Sequence, residues 1–152
     1  MNRHALRIIV MDVLYQYLLL DSDPEELISD NLRYNLPYRF GKKDKDEIQD
    51  VDLVNVVDNQ FTEKEEIAYV VNVTSQAINN YDEYKKMISE RLTNWSFDRL
   101  GYLEQAILFL GLSELDLKTA PENSIKDEAV ELAKHYCDDD AYKLINGVLD
   151  KK

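Results

Sequence analysis

Residues 95–115 read WSFDRLGYLEQAILFLGLSEL, and this stretch decides the fold. From residue 100 onward, apolar side chains fall on nearly every side of a 3.6-residue helix, interrupted chiefly by Glu104, Gln105 and Glu114. A helix that is apolar almost all round must be enclosed, so we expect it to be the central helix of an all-α bundle. The run is too short and too broken by carboxylates to span a membrane, which requires about 20 mostly apolar residues.

Length and composition predict a single helical domain over residues 1–152. The 152 residues are 45% apolar and include only four Gly and three Pro, which favours helices joined by short loops. Cys137 is the single cysteine, so it forms no intrachain disulfide and suits a reducing, cytoplasmic location. Asp12 and Gln16 interrupt the apolar N-terminal run, which indicates a mature helix and not a signal peptide.

The segments around the central helix show amphipathic stripes and start signals. Stripes predict helices at about 5–20, 24–34, 62–79, 82–92, 123–136 and 141–149. The predicted caps are Asp23, Thr62 with Glu65 as a capping box, Asp82, Ser96 for the turn into the central helix, and the aspartates at 138–140. Trp95 should close the buried stripe of 82–92, and Tyr136 should lie on the buried face of 123–136. Residues 51–57 have the β-propensity of a strand, but their helical surroundings favour a short helix.

Charge is strongly zoned along the chain. The net charge of −12 argues against binding nucleic acid by bulk electrostatics. Residues 33–45 nevertheless hold five basic residues against one acid, in a loop with Pro37 and Gly41. Residues 46–66 hold eight carboxylates against one lysine.

No catalytic constellation emerges, so we expect neither an enzyme, nor a cofactor, nor a metal site. The four glycines are scattered and form no phosphate loop, and two histidines are too few for the usual metal or proton-transfer sets. The aspartates at 138–140 are more typical of a helix cap than of a cation site. What remains is a binding surface: Arg3, His4 and Arg7 near tyrosines combine cations and rings suited to RNA, although exposed terminal cations are the simpler interpretation.

Several blocks in the right order resemble the bacterial NusB family. The C-terminal block is DEAVELAKHYCDDDAYKLINGVLD at 127–150. The middle blocks are Asn94-Trp95, Arg99-Leu100, Ala106-Ile107-Leu108 and Ser113-Glu114-Leu115, and the N-terminal block is Ala5 to Tyr15. The resemblance omits roughly 21–60. It implies an all-α, NusB-like compact helical fold of about seven helices in two packed bundles.

The resemblance also implies a function. NusB proteins are non-catalytic RNA-binding adaptors of transcription antitermination: with the small-subunit ribosomal protein NusE they hold boxA-type single-stranded RNA of nascent ribosomal RNA, for an RNA polymerase antitermination complex. Carried over by position, the RNA contacts fall on Arg3, His4, Arg7, Lys143 and Asn146. We expect the N-terminal and C-terminal contacts to form one patch.

The partner surface and the departures from the family pattern give further expectations. A basic partner should dock on an acidic face formed by Glu63, Glu66, Asp82, Glu83 and Glu90. His4 and Ala5 occupy places where the family usually has arginines, and Phe109 stands where an arginine is common. Fewer cations predict weak RNA binding by the free chain. The alternative is a protein-binding helical module that has the NusB fold but little RNA binding. A NusB-like domain preceding a ribosomal RNA methyltransferase is a more remote possibility, since no catalytic domain follows residue 152.

Overall fold

A computed structural model describes residues 2–30 and 63–150, and every regular element within these ranges is helical. The elements are α1 (Arg3–Leu20), α2 (24–30), α3 (Glu63–Asn79), α4 (Tyr81–Arg91), a 3-10 turn (Phe97–Arg99), α5 (Tyr102–Leu117), α6 (Glu122–Tyr136) and α7 (Ala141–Asp150). The all-α prediction is confirmed. The predicted basic loop, the segment 51–57 and the cap at Thr62 lie outside the described residues.

The chain divides into two units, Met1–Asn72 and Val73–Lys152. The predicted single domain stays a prediction. No helix in the described ranges combines the length and apolar character needed to cross a bilayer.

The first unit is built on α1. Asn2 caps this helix, because its side-chain oxygen accepts a hydrogen bond of 2.9 Å from the backbone N–H of Ala5. The helix ends where Asp21 adopts a left-handed backbone with φ of 51°. Its apolar face is buried from Leu6 to Leu14, as predicted, but Leu20 at its end is 63% exposed. The predicted cap of α2 is also confirmed, since Asp23 Oδ1 accepts from Glu25 N at 3.2 Å.

The second unit is built around α5, and the prediction for this helix is confirmed. Residues 105–114 are all buried. Phe109 lies among three other rings, with centroid distances of 5.2 Å to Tyr81, 6.1 Å to Phe97 and 6.4 Å to Tyr84. Gln105 is buried among apolar groups, but its amide donates a 3.0 Å hydrogen bond to the carbonyl oxygen of Leu100.

Helices α6 and α7 complete the walls around α5. The methyl groups of Leu149 on α7 approach so closely that a Cβ added at Gly111 would lie 2.9 Å from one of them. Arg91 donates from Nη1 to the carbonyl oxygen of Val148 at 3.1 Å, close to the C-terminal end of α7. The glycine in the central helix therefore serves close packing, and the α4 arginine stabilises the last turn of α7.

Three details of the prediction were wrong, at Asp82, Trp95 and Tyr136. Helix α4 begins after Asn80, so Asp82 lies in its first turn and does not cap it. Trp95 is 52% exposed, because α4 ends at Arg91 and an irregular segment containing Asn94, at φ 66°, connects it to the 3-10 turn. Ser96 is the N-cap residue of that turn, as predicted, although its side chain makes no capping hydrogen bond. Helix α5 itself begins after Gly101, whose N–H donates to Glu104 at 3.2 Å. Tyr136 is exposed because α6 ends there.

Candidate nucleic-acid interface

The three N-terminal candidates lie in the first turns of α1 but differ in exposure. His4 is exposed, and Arg3 is half-buried with its guanidinium carbon 4.1 Å from the centroid of the Tyr69 ring. Arg7 is only 4% exposed. The expectation of three exposed cations is therefore not met at Arg7, because its position on α1 faces the packed side of the helix. The RNA contacts themselves stay predictions.

The two C-terminal candidates lie on the exposed side of α7. Lys143 and Asn146 are one turn apart, so their side chains share a helix face. Lys143 Nζ lies 3.6 Å from Asp140 Oδ1, and both side chains are exposed. An ion pair of this kind is weak, so the ammonium remains accessible to an anionic ligand.

A cluster that the sequence did not reveal surrounds Tyr142. Lys134 Nζ, on α6, lies 5.0 Å from the centroid of the Tyr142 ring, and Lys143 Nζ lies 5.9 Å from it. We refer to Lys134, Tyr142 and Lys143 as the Tyr142 cluster. Of these three residues, the sequence assigned only Lys143 to the RNA contacts, because the turn between α6 and α7 is what brings the three side chains together.

A groove with a volume of about 870 Å³ lies beside α7, and sequence analysis missed it as well. Its apolar wall includes Leu92, Trp95, Leu144 and Val148. Carboxylates also line it, at Glu104, Asp138, Asp139 and Asp140, along with the cations Arg91 and Lys143. We refer to it as the Trp95 groove. Its half-exposed indole and excess of negative charge favour a basic ligand that carries an apolar group.

The predicted acidic partner face is only partly on the surface. Asp82, Glu83 and Glu90 are exposed on α4. Glu66, in contrast, is fully buried in the first unit, because it lies on the packed side of α3. Glu63 begins α3. The docking role of these residues stays a prediction. Because Glu66 is buried, its side chain is not accessible to a partner in this structure.

Cys137 lies in the wall of the Trp95 groove. Burial, assisted by Glu104 and Asp138, raises the pKa of the Cys137 thiol to about 11, so at neutral pH it is protonated and a poor nucleophile. Within residues 2–30 and 63–150, no group of three or more His, Cys, Asp or Glu side chains is arranged to hold a metal ion.

Comparison with known proteins identifies the family. A sequence profile described as the NusB family matches residues 4–152. The chain belongs to the NusB family. Among NusB relatives, the transcription antitermination protein of an Exiguobacterium species is 33% identical over 104 residues, covering 68% of this chain and 81% of that protein. The Fusobacterium nucleatum protein is 39% identical over 70 residues, and this match spans 46% of each chain.

Solved NusB structures share the fold. A crystal structure of the antitermination factors NusB and NusE in complex with dsRNA matches with a TM-score of 0.71 and 28% identity, covering 97% of this chain and 92% of that one. The solution structure of NusB from Aquifex aeolicus matches with a TM-score of 0.66 and 28% identity, covering 98% and 86%. The prediction of a NusB-like fold is thereby confirmed.

Proposed function

We propose that this chain is a non-catalytic adaptor of transcription antitermination. It pairs with the small-subunit ribosomal protein NusE and holds boxA-type single-stranded RNA during ribosomal RNA transcription, within a cytoplasmic RNA polymerase antitermination complex. The observation that carries the proposal is the fold match, over 97% of the chain, to a NusB solved with NusE and RNA. Family membership over residues 4–152 supports it.

The RNA contacts that we propose come from both units. In the first unit they are His4, which is exposed, and Arg3, which is half-buried. In the second they are Lys143 and Asn146, where an ammonium can bind a phosphate and an amide can read an unstacked base. The contact predicted for Arg7 requires its guanidinium to move outward, since it is 4% exposed.

The ribosomal partner binds the acidic surface of the second unit in this proposal. Ribosomal proteins are typically basic, and the carboxylates of the Trp95 groove complement such a partner. Trp95 supplies an aromatic anchor of the kind that dominates protein interfaces. The exposed α4 residues Asp82, Glu83 and Glu90 extend the negative surface available to it.

The chain alone should bind RNA weakly. Its net charge of −12 repels a phosphate backbone, and few cations are available to release counterions. A basic partner supplies the missing positive charge. We therefore expect the pair to bind RNA more tightly than the chain alone.

Size-exclusion chromatography tests the proposal. This chain is run with purified NusE, with and without boxA-type RNA, and co-migration is measured. We expect a stable pair that retains the RNA. Trp95→Ala should weaken the pair, whereas Tyr102→Ala, at another exposed aromatic residue, should not. Failure of the chain to pair with NusE would contradict the proposal.

A second function is favoured by one pair of observations. The charge of −12 and the burial of Arg7 are what a protein-binding module with little RNA binding would show. Such a module would pair with NusE but would leave the affinity of NusE for RNA unchanged. A NusE pair that retains RNA no better than NusE alone would establish this second function.

A further inference from the structure

We propose that the Tyr142 cluster is a nucleotide subsite, in which the tyrosine ring stacks on one unpaired base of RNA and Lys134 and Lys143 bind the adjoining phosphates. The inference rests on the proposed function and extends its RNA surface by Lys134 and Tyr142. Its ligand is an unpaired nucleotide, because a base in a duplex has no free face to offer.

The geometry provides the aromatic ring and the positive charge that such a subsite needs. Two ammonium groups, from different helices, lie 5.0 Å and 5.9 Å from the centroid of one tyrosine ring. Both lysines are exposed, and Tyr142 is half-buried, so the ring is anchored by the protein while part of it remains accessible. Base stacking on aromatic rings beside a cationic surface is the common mode of single-strand binding.

The lysines are held loosely enough to exchange partners. Lys134 Nζ lies 3.8 Å from Glu131 Oε1, and Lys143 Nζ lies 3.6 Å from Asp140 Oδ1, with all four side chains exposed. Exposed pairs at these distances contribute little and are screened by salt. The adjoining phosphates can therefore bind both ammonium groups. When the two lysine side chains move away from the Tyr142 ring, the face of the ring becomes available to a base.

Other rings with a cation nearby do not meet the same requirements. Arg3 lies over Tyr69, and Lys85 lies 5.2 Å from the centroid of Phe97, but both of these rings are buried. A buried ring cannot stack on an incoming base. Tyr142 also immediately precedes Lys143, which places the subsite beside a contact already proposed for RNA.

The test uses the full chain with NusE and a fluorescein-labelled boxA-type RNA in a fluorescence anisotropy titration. Tyr142→Leu should raise the Kd about tenfold, since a stacked base contributes roughly 1–3 kcal/mol. Tyr142→Phe should keep the Kd within about twofold, because the ring and not the hydroxyl makes the contact. Tyr136→Leu, which removes an exposed ring six residues earlier, is the matched control and should have no effect.

Two further measurements separate stacking from a general loss of structure. Lys134→Gln should reduce the slope of log Kd against log salt by about 0.7, the value for one phosphate contact in a single strand. In the unmodified protein, RNA should protect Lys134 and Lys143 from acylation by a water-soluble succinimidyl ester, while the exposed Lys118 at the end of α5 stays reactive. This second readout needs no variant to fold.

The outcomes distinguish the inference from the proposed function. If the unmodified pair does not bind the RNA, both fail. If the pair binds but Tyr142→Leu binds equally well, or Lys134 stays reactive in the complex, the subsite is refuted and the adaptor function stands. An RNA with an abasic nucleotide at the stacked position has no base to stack, so Tyr142→Leu should not raise its Kd further. If Tyr142→Leu still raised the Kd for this RNA about tenfold, the inference would also be overturned.

Discussion

The hydroxyl of Tyr84 on α4 links α5 to the part of α3 that lies in the second unit, and Tyr84→Phe tests this link. In the structure the hydroxyl donates a hydrogen bond to Asp116 Oδ2 on α5 and accepts one of 3.0 Å from Gln76 Nε2 on α3. The side chain is buried, and the substitution removes one oxygen atom without changing the ring. Packing is therefore preserved, and the measured effect reports the hydrogen bonds.

The expected loss of stability follows from the partners. A hydrogen bond to a charged group contributes about 1.5–3 kcal/mol. Asp116 is exposed and stays hydrated in the variant, which places the loss near the lower limit, about 1.5 kcal/mol. For a chain of this size the corresponding fall in Tm is roughly 3–6 °C.

The pH dependence provides an independent check. Burial, and then the hydrogen bond to Asp116, raise the pKa of Tyr84 to about 12 from 10.0. A raised pKa means that the folded state holds the proton more tightly, so this stabilisation is complete below pH 10 and is lost as the pH rises from 10 to 12. The stability difference between the wild type and Tyr84→Phe should therefore shrink over that interval.

Urea unfolding followed by circular dichroism measures both effects, with Tyr102→Phe as the control at an exposed tyrosine. We expect Tyr102→Phe to leave the free energy of unfolding unchanged. The reasoning would be refuted if Tyr84→Phe were as stable as the control at pH 7. A difference between wild type and Tyr84→Phe that stayed constant from pH 10 to 12 would refute the pKa argument alone.

The remaining predictions concern the core and the thiol. Leu108→Ala, at a fully buried position of α5, should cost about 2–5 kcal/mol in urea unfolding, and a loss below 1 kcal/mol would contradict the central role of α5. Gly111→Val should cost about 1–3 kcal/mol, because a Cβ there already approaches Leu149 to 2.9 Å. Gly147→Ala is its control, since a Cβ there meets nothing within 4 Å, and equal losses would refute the close approach. Iodoacetamide should alkylate Cys137 about tenfold more slowly at pH 8 than a free thiol, and an equal rate would contradict its raised pKa.

The helices were predictable because their signals are local. The all-round apolar character of α5 predicted its burial, and the amphipathic stripe of α7 predicted its apolar side, with Ile145, Val148 and Leu149 buried in the structure. The cap predicted at Asp82 was wrong, because α4 begins after Asn80 although the Asp82 carboxylate was available. A capping residue in sequence shows where a helix can begin, and packing decides where it does.

The site was less predictable because exposure and proximity depend on the fold. Arg7 and Glu66 are charged residues that any surface prediction would place in solvent, yet both are buried. The reverse holds for Trp95, which was expected in the core and instead lines a groove. Lys134 and Tyr142 are eight residues apart on different helices, so no periodicity connects them. Such contacts follow from turn geometry, which the sequence encodes only indirectly.

A titration of labelled RNA with this chain, with NusE and with both together, tests the adaptor role most directly. At low salt we predict feeble binding by the chain alone and at least tenfold tighter binding by the pair to boxA-type RNA than to a scrambled RNA of equal length. Tight binding by the chain alone would contradict the dependence on the partner. Equal affinity of the pair for the two RNAs would contradict the adaptor role itself.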